Sequence, residues 1–147
     1  MKVLIVDDND NDRKILKYNF KQHGCEVILE ARNGKEGLAL ARMHKPDLIV
    51  SDGLMPVMDG FHLLRLIKKD EELKSIPFIF YSAIFDGTKE IEFATSLGAT
   101  KFIVKPVGPE EFWEILKATL EEIKNIKKIP AEETEKVEDN NTEKESS

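Results

Sequence analysis

Residues 51–60 read S-D-G-L-M-P-V-M-D-G, and this stretch decides the fold that we expect for the chain. The run before it, D-L-I-V at 47–50, is short, apolar and β-branched, which is typical of a strand buried on both faces. Pro56 and Gly60 then require a loop before a helix can begin. Asp52 is therefore predicted at the point where a buried parallel strand opens into a loop.

The rest of the chain alternates strand and helix patterns around this stretch. Short apolar runs predict five strands, at 3–6, 27–29, 48–51, 78–81 and 101–104. Helical spacing of apolar residues predicts five helices, from 10 to a stop at Gly24, from 34 to a stop at Pro46, after a cap at Asp59, over 88–97, and from 110 to about 124. Right-handed crossovers leave few topologies for such a chain, so we expect a doubly wound α/β fold with helices on both faces of a parallel sheet.

Polar side chains follow four of these strands at the points where the strands end. Asp7 and Asp8 follow the first strand, Asp52 the third, Ser82 the fourth and Lys105 the fifth. Ligands of open α/β sheets bind outside the carboxyl ends of the strands. The sequence therefore predicts that these five side chains converge on one site.

Length, charge and cysteine content limit the classes of protein to consider. A chain of 147 residues with 41% hydrophobic residues can bury one sizeable core, and we expect one domain over 1–128. Seven acids and two lysines in 131–147 carry most of the net charge of −6, so 129–147 is expected to be an acidic disordered tail. The near-neutral remainder argues against direct nucleic-acid binding. A single cysteine, Cys25, and no long apolar run predict a cytoplasmic protein without membrane insertion.

Two tempting metal patterns fail on their spacing. Asp8-x-Asp10-x-Asp12 imitates the start of a calcium-binding loop, but its sixth position is Arg13 and its twelfth is Asn19, where glycine and glutamate belong. The three histidines stand in different elements at no ligand spacing, and we expect them on the solvated surface. Neither of the glycine-rich motifs that bind nucleotide phosphates, G-x-G-x-x-G and G-x-x-x-x-G-K-[ST], occurs in the sequence, so a nucleotide site is unsupported.

Four pieces of the sequence resemble the receiver domains of two-component response regulators. They are V-D-D at 6–8, D-x-x-M-P-x-M-D-G at 52–60, S-A at 82–83 and G-A-x-x-F-x-x-K-P at 98–106. The resemblance covers about residues 1–125. It implies a flavodoxin-like fold with five parallel strands in the order 2-1-3-4-5 and five helices.

The resemblance also implies a role for each residue of the predicted site. Asp52 would be the phosphoacceptor, and Mg²⁺ would be held by Asp7, Asp8, Asp52 and the backbone carbonyl of Leu54. Oxygen ligands of this kind suit Mg²⁺. An Asp nucleophile, a cation and fixed donors are what phosphoryl transfer to a carboxylate requires.

The remaining roles fall on the last two strands. Lys105 and Ser82 would contact phosphoryl oxygens, a cis peptide would join Lys105 to Pro106, and Ser82 and Phe102 would form the switch pair. Gly53 stands where the family more often has a bulkier apolar residue, so we expect a looser loop there. Trp113 is expected to be partly exposed near Phe102, on the output face.

The function implied is that of a stand-alone phosphoacceptor rather than an enzyme, with weak self-phosphorylation and self-dephosphorylation at most. A histidine kinase or phosphotransfer protein would phosphorylate Asp52, and a downstream protein partner would bind the face of the fourth helix, fifth strand and fifth helix. A homodimer through that face stays open. The alternatives are a haloacid-dehalogenase-like phosphatase, which Asp8-x-Asp10 fits only superficially, and a degenerate receiver that serves only as a binding module.

Overall fold

The computed structural model describes residues 1–127, and the acidic tail predicted for 129–147 lies outside that range. Contacts between residues divide the chain into a unit of Met1–Trp113 and a second unit from Glu114. The elements are β1 (Lys2–Val6), α1 (Asp10–Gln22), β2 (Val27–Ala31), α2 (Gly34–His44), β3 (Leu48–Ser51), α3 (Gly60–Lys69), β4 (Phe78–Ser82), α4 (Lys89–Ser96), β5 (Lys101–Val104) and α5 (Pro109–Lys127). Within the described residues, no helix is long and apolar enough to span a membrane.

The five strands form one parallel sheet in the order β2-β1-β3-β4-β5, which confirms the predicted fold class. The register sets the carboxyl ends of the strands side by side. Val6 of β1 pairs with Ser51 of β3, and Ser82 of β4 pairs with Val104 of β5. Each pairing places the polar residues that follow these strands at one edge of the sheet. The main differences from the prediction are at boundaries, since β2 and α5 run two or three residues further than their apolar patterns.

Alternate residues of the strands face two apolar layers. On one face, Leu4, Ile49 and Phe78 join a buried cluster to which α2, α3 and α4 also contribute. On the other face, the strand residues meet α1, whose Leu16 and Phe20 are buried. Each such buried side chain contributes roughly 1.5–3 kcal/mol relative to an exposed one.

Side-chain caps fix where α1 and α3 begin. Asp59 caps α3 as predicted, accepting from the backbone N–H of His62. Asn9, rather than Asp8, caps α1 by accepting from the N–H of Asp12. Asp8 is therefore free of a capping role, and its carboxylate is exposed.

Trp113 lies elsewhere than predicted. Its indole is half-buried but stacks on His23, with centroids 3.9 Å apart, and meets the edge of Phe20 at 5.5 Å. Phe102 instead stacks on Phe80, with ring centroids 5.5 Å apart, and packs against the buried cluster on the other face of the sheet. The expected proximity of Trp113 to Phe102 is wrong because the two rings face opposite sides of the sheet.

Candidate functional site

Three carboxylates meet at the carboxyl edge of the sheet, as the strand ends predict. Asp7, Asp8 and Asp52 each offer one carboxylate oxygen, and these oxygens lie within 4.8 Å of one another. The backbone holds the first and last of them, because the N–H of Asp7 donates to Ala31 at 3.0 Å and that of Asp52 to Val6 at 2.8 Å. The hydrogen bonds between neighbouring strands thus extend to two of the three acids of the site.

The three acids differ in their exposure to water. Asp7 is 1% exposed, Asp52 is partly buried and Asp8 is exposed. Burial raises the pKa of Asp7 to about 6, although the N–H of Asn9 and the ammonium of Lys105 both act to lower it. Loss of water is the largest cause of this rise in pKa, and the charge of Asp52 is a minor one.

Lys105 extends its ammonium into the group of acids. Its Nζ lies 2.9 Å from Oδ2 of Asp7, 2.8 Å from Oδ2 of Asp12 and 3.4 Å from Oδ2 of Asp52. The peptide between Lys105 and Pro106 is cis, as predicted. Burial alone would lower the pKa of Lys105, but the hydrogen bonds to Asp12 and Asp7 and the charges of the acids raise it above the usual lysine value. The ammonium is therefore charged at neutral pH.

Asp12 is the site residue that sequence analysis missed. It lies in the first turn of α1, and 93 residues separate it from Lys105 in the chain. The sequence singled it out only as part of a failed calcium pattern. One local signal could have found it, since the first turn of a helix that follows a strand lies at the same sheet edge as the end of that strand.

Ser82 fixes the orientation of the Asp52 carboxylate. Its Oγ donates to Oδ1 of Asp52 at 2.6 Å and accepts from the N–H of Gly53 at 3.1 Å. The N–H of Gly53 also donates to Asp52 Oδ1, at 2.7 Å. Oδ1 is thus held by a hydroxyl and an amide, while Oδ2 faces the ammonium of Lys105.

The loop after Asp52 is held more tightly than the sequence suggested. Gly53 is buried, and its carbonyl accepts from the N–H of Gly60 at 2.8 Å. A Cβ on Gly53 would lie 3.0 Å from Ser82 Oγ and from the ring of Phe61, and a Cβ on Gly60 would overlap the carbonyl oxygen of Asp52. Glycine at these positions permits close backbone packing, so the looser loop expected from Gly53 is not found.

Leu54 and Phe102, the other residues predicted for the site, lie two and three positions in the chain from Asp52 and Lys105. Leu54 follows Gly53 and is 55% exposed, and Ile84, two residues after Ser82, is partly buried. Phe102 is partly buried in β5. The role of the Leu54 carbonyl as a metal ligand stays a prediction.

The arrangement suits Mg²⁺ and an anionic group on Asp52. Carboxylate oxygens are the ligands that Mg²⁺ prefers, and Asp7, Asp8 and Asp52 supply three. A lysine ammonium and a serine hydroxyl are donors that bind phosphoryl oxygens. The site can therefore hold a cation and a phosphoryl group side by side.

Comparisons with known proteins agree with this geometry. The family model described as the response regulator receiver domain matches residues 3–117. The chain is 35% identical to the protein PilH of Pseudomonas aeruginosa over 119 residues, which are 81% of this chain and 97% of PilH. It is 36% identical to the polar-differentiation response regulator DivK of Brucella anthropi over 118 residues, 80% of this chain and 94% of DivK.

Solved structures give the same result. The chemotaxis response regulator CheY4 of Vibrio cholerae matches with a TM-score of 0.74 and 30% identity over 80% of this chain and 97% of CheY4. The signal receiver domain of a signal transduction histidine kinase from Syntrophus aciditrophicus matches with a TM-score of 0.75 and 31% identity, over 88% of this chain and 95% of that domain.

Proposed function

Because this chain belongs to the response regulator receiver domain family of two-component signalling, we propose that it is a phosphoacceptor that takes a phosphoryl group on Asp52. One observation supports this above the others: Asp52 lies between the Ser82 hydroxyl at 2.6 Å and the Lys105 ammonium at 3.4 Å, beside the oxygens of Asp7 and Asp8. Among the described carboxylates, only that of Asp52 accepts both from a hydroxyl and from an ammonium.

The proposed step is a transfer between two protein groups. An oxygen of Asp52 attacks the phosphorus of a phosphohistidine on a histidine kinase or phosphotransfer protein. The P–O bond to Asp52 forms as the P–N bond breaks, and the imidazole leaves with the electron pair of that bond. The ammonium of Lys105 and the hydroxyl of Ser82 stabilise the charge on the phosphoryl oxygens, which is the main way in which proteins accelerate such transfers.

Mg²⁺ is part of the proposal. Asp7, Asp8 and Asp52, with the backbone carbonyl of Leu54, would hold the ion, and bound Mg²⁺ would neutralise phosphoryl charge. Asp7 is suited to this task because its carboxylate, although buried, accepts from the N–H of Asn9 at 2.9 Å and so keeps a fixed orientation.

The proposed output is a change in partner binding rather than catalysis. The hydroxyl of Ser82 already binds Asp52, so a phosphoryl group there would draw Ser82 to itself and alter the packing of Phe102. A downstream protein would recognise the altered face. A cytoplasmic location belongs to the same proposal, because phosphohistidine donors are made from ATP inside the cell. A homodimer through α4, β5 and α5 stays a prediction.

Two alternatives receive less support. Family membership argues against a haloacid-dehalogenase-like phosphatase, for which only Asp8-x-Asp10 spoke. A degenerate receiver that only binds partners would not need Asp7, Asp8, Asp52, Ser82 and Lys105 assembled at one place.

Phosphorylation with a small phosphodonor tests the proposal. Acetyl phosphate and Mg²⁺, or a histidine kinase from the same genome, should add one acid-stable, alkali-labile phosphoryl group, located on Asp52 by mass spectrometry. Asp52→Asn should remove it. Asp86→Asn is the control, because Asp86 is exposed in the loop after β4 and lies outside the group of acids. Equal labelling of Asp52→Asn, or label on a histidine, would refute the assignment.

A further inference from the structure

The ammonium of Lys105 divides its hydrogen bonds among three carboxylates. A lysine ammonium has three N–H donors, and here the acceptors are Asp12 at 2.8 Å, Asp7 at 2.9 Å and Asp52 at 3.4 Å. The shortest contact goes to Asp12, which is not one of the three acids that could hold a metal. The longest goes to the proposed phosphoacceptor.

The start of α1 fixes the position of Asp12. Its N–H donates to the cap residue Asn9 at 2.9 Å, and the N–H of Asn9 donates to Asp7 at 2.9 Å. The next residue, Arg13, donates from its guanidinium to the carbonyl of Asp7 at 2.8 Å. These bonds connect the first turn of α1 to the strand end that carries Asp7, so Asp12 contacts Lys105 from a held position.

We propose that Asp12 is a positioning residue that draws the Lys105 ammonium toward α1 in the unphosphorylated protein. The inference rests on the proposed function of Asp52. A phosphoryl group on Asp52 needs the same ammonium, and Asp12 competes for it. Asp12 therefore slows phosphorylation, while the negative charge that it adds favours the binding of a cation by its neighbours.

Removal of the Asp12 charge should weaken Mg²⁺ binding but speed phosphorylation. A folding defect would weaken both. Removal of one unit charge about 4 Å from a hydrated site changes an equilibrium or a rate by at least about fivefold. Asp12→Asn should therefore raise the dissociation constant for Mg²⁺ by at least about fivefold and also raise the phosphorylation rate at saturating Mg²⁺ by at least about fivefold. Both changes should shrink in high salt.

Asp10→Asn is the matched control. Asp10 lies in the same first turn of α1 and carries the same charge, but it pairs with Arg13 at 2.7 Å and is exposed. Acetyl phosphate serves as the donor, and isothermal titration gives the affinity for Mg²⁺. Unchanged values in Asp12→Asn, or equal changes in both variants, would overturn the proposal.

A double-mutant cycle with Lys105→Met tests whether Asp12 acts through the lysine. Without the ammonium, Asp12→Asn should no longer raise the rate, and a persistent increase would show simple repulsion of the donor and overturn the positioning role. Unfolding midpoints of the four proteins without Mg²⁺ give the same cycle independently of phosphorylation. There the two substitutions should be non-additive, and additive shifts would overturn the contact. Failure of the wild-type protein to become phosphorylated would refute the proposed function and leave this second cycle intact.

Discussion

Two half-buried lysines at opposite edges of the sheet show what makes the site special. Lys105, at the carboxyl edge, contacts three carboxylates, whereas Lys68, at the amino edge, donates to a single acceptor within residues 1–127, the carbonyl oxygen of Lys74 at 3.1 Å. Burial lowers the pKa of Lys68, and the carboxylates around Lys105 raise its pKa in spite of burial. The comparison shows that the groups around a half-buried lysine, rather than its burial alone, decide whether its pKa rises or falls.

Removal of each ammonium should give the largest contrast. Lys105→Met should lower the rate of Asp52 phosphorylation by about a hundredfold, because a fixed cation beside the phosphoryl oxygens is lost. Lys68→Met should leave the rate unchanged. Phosphate incorporation from acetyl phosphate, followed over time in the two variants, makes the comparison. Equal rates in the two variants would mean that Lys105 makes no contribution to the phosphorylation of Asp52.

The lifetime of the phosphoryl group on Asp52 tests whether the neighbouring apolar side chains control its hydrolysis. Leu54 and Ile84 are bulky and apolar and offer no hydrogen bond to an attacking water. Self-dephosphorylation should therefore be slow, and Leu54→Asn with Ile84→Glu should accelerate it by about tenfold. Loss of phosphoprotein after donor removal is the measurement. An unaltered decay would show that these two side chains do not control water at the site.

The repulsion among the acids predicts a smaller effect, on stability. Asp8 is exposed and close to two other carboxylates, so Asp8→Asn should raise the melting temperature without Mg²⁺ by a few degrees and remove most of the stabilisation by Mg²⁺. At the amino edge, Asp47→Asn should leave the Mg²⁺ response unchanged. Thermal melts of the three proteins with and without Mg²⁺ decide this. A wild-type melting temperature indifferent to Mg²⁺ would contradict the metal site.

Lys68 gives the smallest expected effect. Its folded-state pKa lies below the ordinary value of 10.5, so folding is opposed while the amine is charged in the unfolded chain. This cost is present below the folded pKa and disappears as the pH rises toward 10.5. The melting temperature should therefore fall less steeply with alkali in the wild type than in Lys68→Met. Parallel pH profiles for the two proteins would show that Lys68 is fully hydrated.

The fold and most of the site were predictable because their signals are local. Each strand end carries its own polar residue, and parallel pairing brings such ends together without knowledge of any single contact. Asp12 and Trp113 were not predictable in this way. Asp12 meets Lys105 across 93 residues, and the side of the sheet that Trp113 contacts depends on the rotation of the helix that carries it. Tertiary packing sets side-chain partners of this kind, and the periodicity of the sequence carries no information about them.

Gly60 has a consequence for mutational scanning. Any side chain at this position would overlap the carbonyl oxygen of Asp52, although Gly60 itself offers no group to a ligand. A fitness map of all substitutions would thus score position 60 as severely as position 52. Cellular abundance should separate the two, because variants at 60 would be degraded while Asp52→Asn would accumulate as intact but silent protein.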